Sequence, residues 1–466
     1  MKILSYLFLF SIICSGPLFS QTSMQKDPWK QVQQIESQIK APSFPDKNYL
    51  ITDYGAVADG ITLNTDAFSK AIKACNATGG GHVIVPEGKF LTGPIHLKSN
   101  VDLKVSKGAI ILFSQDTKLY LPQVLTRFEG VELMNYSPLI YAFEQENIAI
   151  TGEGELNGQG DASHWWFWKG KWEDGERMGV KWNEGMPSQK EANDRLKLMA
   201  KNNVPVAQRI FGEGDYLRPN FIQPYKCKNI LIEGVTIRNS PMWIIHPVLS
   251  TNIIVQKVNI ISHGPNNDGC DPESCKNVMI RNCFFDTGDD CIAIKSGRDD
   301  DGRRVNVASE NIIVRDCNMK DGHGGVVIGS EITGNVRNVY AENCEMSSPN
   351  LDRAIRIKSN SNRGGIIENI FIRNITVGTV RDAVFLVELF YANEKGNHHP
   401  QVRNVQFKNV TSSKSKYGIK IEAEEQYPVE NVLFEDCSFN EVTKGNSIQG
   451  AKNMVFKNLK INGKEQ

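Results

Sequence analysis

An excess of charge of either sign is missing from this sequence. Its 53 basic and 53 acidic side chains cancel to a formal net charge of zero. That balance excludes a strongly basic nucleic-acid binder and an acidic solvating tail. Proline is sparse, at 19 of 466 residues, and the 39 glycines are too few for collagen or low-complexity sequence. Beyond the N-terminus there is no apolar run able to span a membrane. No Cys/His spacing resembles a zinc site. What is present is a hydrophobic content of 40%, ample for a sizeable core. Length alone suggests about two to three domains, a prior that fails for large all-β folds.

The one strongly apolar run opens the chain. Lys2 is followed by Ile3 to Cys14, then Gly16-Pro17 and Ser20-Gln21. A charged start, a short apolar stretch and a small residue at the break read as a secretory signal peptide, residues 1–20, cut after Ser20. Export to the periplasm or the medium follows. Cys14 suggests a lipid anchor, but Ile13 before it suits that processing poorly. Residues 21–47 read as a linker.

A motif then recurs: Asn, apolar, any, apolar, two mostly polar residues, apolar. Asn147 starts an early copy. Asn229, Asn252, Asn277, Asn311, Asn338, Asn369, Asn404, Asn431 and Asn453 start the regular series, at intervals of 22 to 35 residues. Such a period marks a solenoid. The units are short alternating β segments rich in Ile and Val, divided by Gly, Asn and Asp turns, with no helical pattern of useful length between them. Helical repeats fit badly, and the uneven spacing argues against a propeller. What remains is an all-β, parallel β-helix with one coil per copy, the coils stacked about 4.8 Å apart. We read one continuous domain over residues 48–466.

Cysteine placement agrees. Cys283, Cys317, Cys344 and Cys437 each fall six residues after their coil's Asn, in the slot that Val235, Ile375 and Val410 fill elsewhere. They read as small apolar core residues in a vertical stack. Cys270 and Cys275 lie in a loop, where an exported protein can form a local disulfide. Near the start, Ala67 to Ala74 shows helical spacing, with Asn64 or Thr65 as its cap and Gly79-Gly80-Gly81 as its end. A short helix there would cover the open end of the first coil.

Between Asp161 and Arg218 the repeat is interrupted. This insertion holds Trp165, Trp166, Trp168, Trp172 and Trp182, five of the chain's seven tryptophans, among many charges. Loops of this size on a rigid stack carry function. The tryptophans either stack on sugar rings or pack the loop onto the body.

Four consecutive coils carry polar clusters: Asn266-Asn267-Asp268-Gly269-Cys270-Asp271, then Gly288-Asp289-Asp290, then Gly322-His323-Gly324-Gly325, then Arg356-Ile357-Lys358. Aligning them on Ser274, Ser296, Ser330 and Ser359 puts Asp268 in the column of Asp290, and Asp289 in that of His323. Arg356 and Lys358 fall close to the columns of Ala293 and Lys295. Alternation turns Ile292, Ile294, Ile355 and Ile357 inward, so Arg356 and Lys358 face out. Three carboxylates within about one coil spacing repel one another and raise at least one pKa. That places a protonated acid beside ionised bases, as glycoside hydrolysis requires. Arg356 and Lys358 suit an anionic substrate. Asp271 and Lys295, on the same coils, are further candidate substrate contacts.

In this order on a β-helix, the four motifs resemble the polygalacturonases of glycoside hydrolase family 28, over roughly residues 48 to 460. The family's Asn-Thr-Asp stands here as Asn266-Asn267-Asp268. The resemblance implies a right-handed parallel β-helix and inverting hydrolysis of α-1,4-linked galacturonan. It implies Asp289 as general acid, Asp268 and Asp290 as holders of the attacking water, and His323 as a tuner of the acid. It also implies that Arg356 and Lys358 bind the uronate at the cleavage point, that a pectic polysaccharide is the partner, and that no cofactor is needed. Rhamnogalacturonan or xylogalacturonan hydrolysis is the alternative within the family. A pectate lyase shares the architecture and uses calcium, but Asp299-Asp300-Asp301 reads as a solvated turn because Gly302 and Arg303-Arg304 follow. A non-catalytic carbohydrate binder would not need three carboxylates. The insertion, just ahead of the catalytic coils, is expected to wall off one end of the groove and favour exo action.

Overall fold

Asparagine sets the start of each coil from Asn100 onward. In the repeat series and at Asn147 its φ lies between 54° and 61°, a left-handed conformation that Asn tolerates better than other side chains. In the computed structural model, which describes residues 27–466 except 173–174 and 176–177, these asparagines form a ladder. The amide of each donates to the side-chain oxygen of the one below, at 2.7–3.3 Å, from Asn404 down to Asn100. Asn453 donates to Asn431 in the same way, at 3.1 Å. The residue is used because one side chain both donates and accepts, so each rung polarises the next.

Three columns of parallel strands follow from this start. One runs from Asn48–Leu50 and Gly81–Val85 through Lys276–Arg281 to Ala451–Ile461. A second runs from Asp59–Leu63 to Glu345–Met346. The third includes Ile140–Phe143, Ile222–Tyr225, Ile292–Ile294, Val326–Ile328, Arg353–Lys358 and Ala383–Glu388. Single bridges at Ile245 and Cys270 keep it continuous between Ile222 and Ile292. One hydrophobic cluster fills the interior from Ile51 to Ile461. The fold is the expected parallel β-helix. Cys283, Cys317, Cys344 and Cys437 lie in that core. All nine cysteines of the described residues are free and buried. Cys270 and Cys275 form no disulfide, because Cys270 stacks in the core column between Ile245 and Ile292 and the Cys275 thiol donates to Pro247 O.

Other expectations are corrected. Helix Thr65–Ala77 covers the first coil with Ala67, Phe68, Ala71, Ile72 and Cys75, but neither predicted cap caps it. Asn64 instead joins Val57 to Leu91 through its amide, and Thr65 Oγ1 accepts from Gly93 N. Residues 21–47 are not simply a linker. Lys30–Gln38 is a helix whose Val32 and Ile35 bury against Leu231, Ile254, Met279, Ile313 and Phe371. Those residues occupy the unrestricted position of the repeat, which faces outward; left bare, they would form an exposed apolar stripe. Asp299-Asp300-Asp301 is not a solvated turn. It opens helix Asp299–Val305, and Asp301, 1% exposed, accepts from Arg209, Arg304 and Glu132 N at 2.7–2.9 Å. The expected signal peptide lies outside the described residues, among which no helix is long and apolar enough to cross a membrane.

Candidate active site

The strand register brings the polar motifs together. Cys270 pairs with Ile292, Ile292 with Val326, and Val326 with Ile355. Counting back along each coil puts Asp268 beside Asp290, and Asp289 beside His323. Arg356 and Lys358 come forward from the next coil, while Ile292, Ile294, Ile355 and Ile357 fill the core. Glycine is required where the coils nearly touch. A Cβ on Gly288 would lie 2.4 Å from Gly264 O, and one on Gly322 2.6 Å from Asp289 O. Buried Asn267 fastens the turn carrying Asp268. Its Oδ1 accepts from Ser262 Oγ and Gly264 N, and its Nδ2 donates to Ser240 O and Met242 O.

Oxygens of Asp268, Asp289 and Asp290 lie within 4.8 Å of one another. Cations of the chain are interleaved with them. Lys358 Nζ is 2.7 Å from Asp290 Oδ2, and Lys295 Nζ is 3.2 Å from Asp268 Oδ2. Arg356 pairs with Glu388 at 2.9 Å and stands 4.0 Å from Asp290. His323 Nδ1 meets Asp289 Oδ1 at 3.0 Å. Lys295 and Lys358 take the Oδ2 atoms of Asp268 and Asp290, so positive charge of the chain already sits among the three carboxylates. A second group, His263, Asp286 and Asp321, is likewise occupied, by Lys320 on Asp286 and by Ser348 and Asn350 on Asp321.

The carboxylates are driven apart in acidity. Burial, and then the charge of Asp289, push Asp268 up to about 7. Burial also raises Asp289, but the charge and hydrogen bond of His323, with Lys358 and Lys295, hold it well below the usual carboxylate range. Burial and the charge of Asp268 push the neighbouring Asp271 well above the ordinary range too, so the Asp268–Asp271 pair retains a proton into the neutral range, while the contact with His323 holds Asp289 down. The expected raised pKa exists, on a different carboxyl from the expected acid.

These groups floor a pocket of about 640 Å³ that Asp268, Asp289, Lys295, His323, Arg356 and Lys358 all line. Asp290 lies just beneath, fully buried under Lys358. Asp271 does not line it. It is fully buried 3.6 Å from Lys295, beneath the pocket rather than open to it, so it is not a substrate contact. Several lining groups escaped the sequence reading. Trp243 sits one coil before Asp268 in the same column, a place the register could have revealed. Glu129, at the tip of hairpin Val124–Phe128/Val131–Asn135, and Tyr391 and Glu394, in a loop after Ala383–Glu388, belong to no repeat. Arg298 ties Glu129 (3.1 Å) to Glu394 (3.0 Å) across one side.

On the N-terminal side the groove ends. Beyond Trp243 the next position of the column is Asn220, buried beneath the hairpin and donating to Arg127 O. Arg127 in turn meets Glu273 at 2.9 Å, both fully buried, which fixes the hairpin on the floor. On the C-terminal side Arg353 and half-exposed Arg381 line an open edge. Of the insertion's tryptophans, Trp165 and Trp168 join the core cluster, Trp166 donates to Ser240 O, and Trp182 donates to Pro187 O. Only Trp172 lines the pocket, so packing accounts for the other four.

Comparison with known proteins follows the same lines. Residues 209–463 match the family model described as glycosyl hydrolases family 28. Residues 50–105 match one described as rhamnogalacturonase A/epimerase, pectate lyase-like. A probable polygalacturonase of Vitis vinifera is 28% identical, over 85% of this chain and 75% of its own. An exo-poly-alpha-D-galacturonosidase of Dickeya chrysanthemi is 31% identical, over 74% of this chain and 58% of its own. The crystal structure of a hyperthermoactive exopolygalacturonase from Thermotoga maritima matches with a TM-score of 0.90 and 48% identity, covering 94% of this chain and 97% of that one.

Proposed function

Because this chain belongs to glycosyl hydrolase family 28, we propose that it is an exo-acting polygalacturonase, removing galacturonate from the ends of pectic chains. The observation that carries this reading is a carboxylate triad beside Arg356 and Lys358 in a pocket closed on its N-terminal side. The cations match uronate carboxylates, and the closed end leaves room for a chain terminus.

Asp289 and His323 act as one acid. Transfer of the Nδ1 proton to Asp289 Oδ1 leaves neutral imidazole and a carboxylic acid, which then protonates the leaving oxygen. Asp290 and deprotonated Asp268 orient and deprotonate the attacking water. Lys358 and Lys295 hold these two carboxylates in place at 2.7 and 3.2 Å, while Arg356 receives the substrate carboxylate. Inversion rests on the family likeness, since inverting pairs usually stand about 6.5–9.5 Å apart, more than the 4.8 Å limit within which oxygens of these three lie. The export read from residues 1–20 fits a polymeric substrate outside the cell.

The deciding experiment is a time course on polygalacturonate beside rhamnogalacturonan. Galacturonic acid as the sole early product, with viscosity falling slowly, supports the reading. Early mixed oligomers would replace exo with endo action. An ultraviolet-absorbing unsaturated product would mean elimination, and no activity on polygalacturonate would sink the assignment.

A further inference from the structure

Among the described residues, four acids outside the catalytic triad line the pocket: Glu129, Glu331, Asp352 and Glu394. Three of them have both carboxylate oxygens engaged. Glu331 takes Lys295 on Oε2 and Ser330 on Oε1. Glu394 takes Arg298 on one oxygen and Arg363 on the other, and Asp352 takes Arg381 and Arg353 likewise. Glu129 is different. Its Oε2 accepts from Asn193 at 3.0 Å and from Arg298 at 3.1 Å, while its Oε1 receives no hydrogen bond or ion pair from the described residues. The side chain is only 13% exposed. Burial raises its pKa, but the charges of pocket-lining Lys169, of Arg298 and of Lys197 hold it down, to about 2. An ionised carboxylate oxygen can only accept, so Oε1 calls for a donor from outside the chain. The backbone points the same way. Phe128 pairs with Val131, so Glu129-Gly130 is the whole loop of the hairpin, with φ of 45° and 84°. Such loops take Asn, Asp or Gly first. A glutamate held left-handed there is strained, and strain of this kind persists where a side chain has a task.

A run of contacts fixes its place. Arg298 reaches Glu331 at 3.9 Å, and Lys295 reaches both Glu331 (3.4 Å) and Asp268 (3.2 Å). Glu129 is thus joined to the water-side carboxylate through two cations and one acid. On its other flank Phe128 and Val131 pack with Ala192, Leu196 and Trp243, in the wall on the closed side. Asp268 lies one coil nearer that side than Asp289 and two nearer than His323. In the proposed mechanism the ring attacked by water therefore lies toward the wall, and the leaving chain toward Arg356 and Lys358. That ring is then the non-reducing terminus, and the edge it turns to the wall carries the C4 hydroxyl. Inside a chain the same oxygen is a glycosidic bridge with no hydrogen to donate. We infer that Glu129 is a specificity-determining residue that recognises the chain end, its Oε1 accepting a hydrogen bond from the C4 hydroxyl of the terminal galacturonate. The inference rests on the proposed polygalacturonase activity and deepens it: the terminus is selected by an attraction that only it can satisfy, and not by the blocked groove alone.

The test uses the full chain as wild type, Glu129→Gln and Glu129→Ala. Substrates are trigalacturonate and the same trisaccharide with a 4-deoxy non-reducing terminus. Wild type should lose about 10- to 100-fold in kcat/KM on the 4-deoxy substrate, the worth of one charge-assisted hydrogen bond. Both variants should lose a similar factor on trigalacturonate and should no longer discriminate between the two substrates. Wild type that cuts both substrates equally, or variants that keep wild-type rates on trigalacturonate, would overturn the inference. Variants that lose equally on both substrates would overturn it too, assigning Glu129 to the support of Arg298 and Asn193. A trisaccharide labelled at its reducing end should release an unlabelled monosaccharide first; a labelled one would put the other chain end against the wall and refute the contact. The wild-type comparison needs no variant, so it decides even where a variant fails to fold. Wild-type protein inactive on trigalacturonate would instead overturn the function on which the inference rests.

Discussion

His323 Nδ1 lies 3.0 Å from Asp289 Oδ1, although 34 residues separate the two along the chain. The coil register makes them neighbours, and the His323 N–H also donates to Asp289 O at 3.1 Å. The imidazole is thus locked to the carboxylate it serves from both its ring and its backbone.

The first prediction follows from that pair and its two companions. In the proposed mechanism Asp289→Asn removes the group that delivers the proton, and Asp268→Asn or Asp290→Asn removes a carboxylate from the water. Each single variant should lose about 10²–10⁴-fold in kcat while keeping its fold. Initial rates on oligogalacturonate check this, and three near-normal variants would refute the site.

A pH profile is the second test. Asp268, raised to about 7, is protonated below that value and cannot assist the water. The kcat/KM of wild type should therefore climb through an apparent pKa near 7. Asn at position 268 should abolish the rising limb in whatever activity remains.

Charge recognition supplies the third. Arg356→Ala and Lys358→Ala each forfeit a charge-assisted hydrogen bond worth about 1.5–3 kcal/mol. Binding of galacturonate oligomers should weaken far more than binding of a methyl-esterified analogue. Isothermal titration with an Asp289→Asn background reads the difference, and equal losses would assign these cations to structure.

The fourth concerns the insertion. Gln189 N donates to Trp168 O at 2.7 Å, so the two ends of residues 171–187 lie side by side. Replacing that stretch by two glycines removes Trp172 without straining the body. Wild type should give monogalacturonate from the earliest time points, and the shortened protein should add longer products with a faster viscosity drop. An unchanged product pattern would leave the hairpin around Glu129 as the sole barrier.

Stability gives a fifth. Arg209 and Asp301 pair at 2.7 Å, and each is 1% exposed. Breaking a buried pair by removing one charge costs about 3–5 kcal/mol. Asp301→Asn should lower the melting temperature clearly at neutral pH, whereas Asp300→Asn, at an exposed carboxylate, should barely move it.

Repetition made the scaffold legible. A coil writes its own start, its inward residues and its column in about thirty letters, and neighbours repeat the message. Asp268, Asp289, Asp290, His323, Arg356 and Lys358 were readable because they sit at fixed offsets within such coils. Glu129, Glu394 and Lys169 were not, since they reach the pocket from segments outside the register, whose paths depend on packing rather than on a period. Asp301 was misread for a related reason. Three adjacent aspartates look solvated until Arg209, 92 residues earlier, is placed against them. The same distance effect hid the N-terminal helix, although the apolar residues it covers stood in every coil from Asn147 to Asn369.

The asparagine ladder also separates two kinds of change. Its rungs are 22 residues apart at one place and 82 at another, yet the side chains meet in the same way. Length is therefore a free variable between rungs, while position on a rung is not. Whole wall segments can be exchanged between Asn147 and Asn229 without shifting Asp268 relative to Asp290. A lineage, or a protein engineer, can thus rewrite which polymer end is admitted and leave the cutting chemistry untouched. Losing one rung would have the opposite consequence, letting two stacked coils slip past each other and parting a catalytic column with no change to any residue in the pocket.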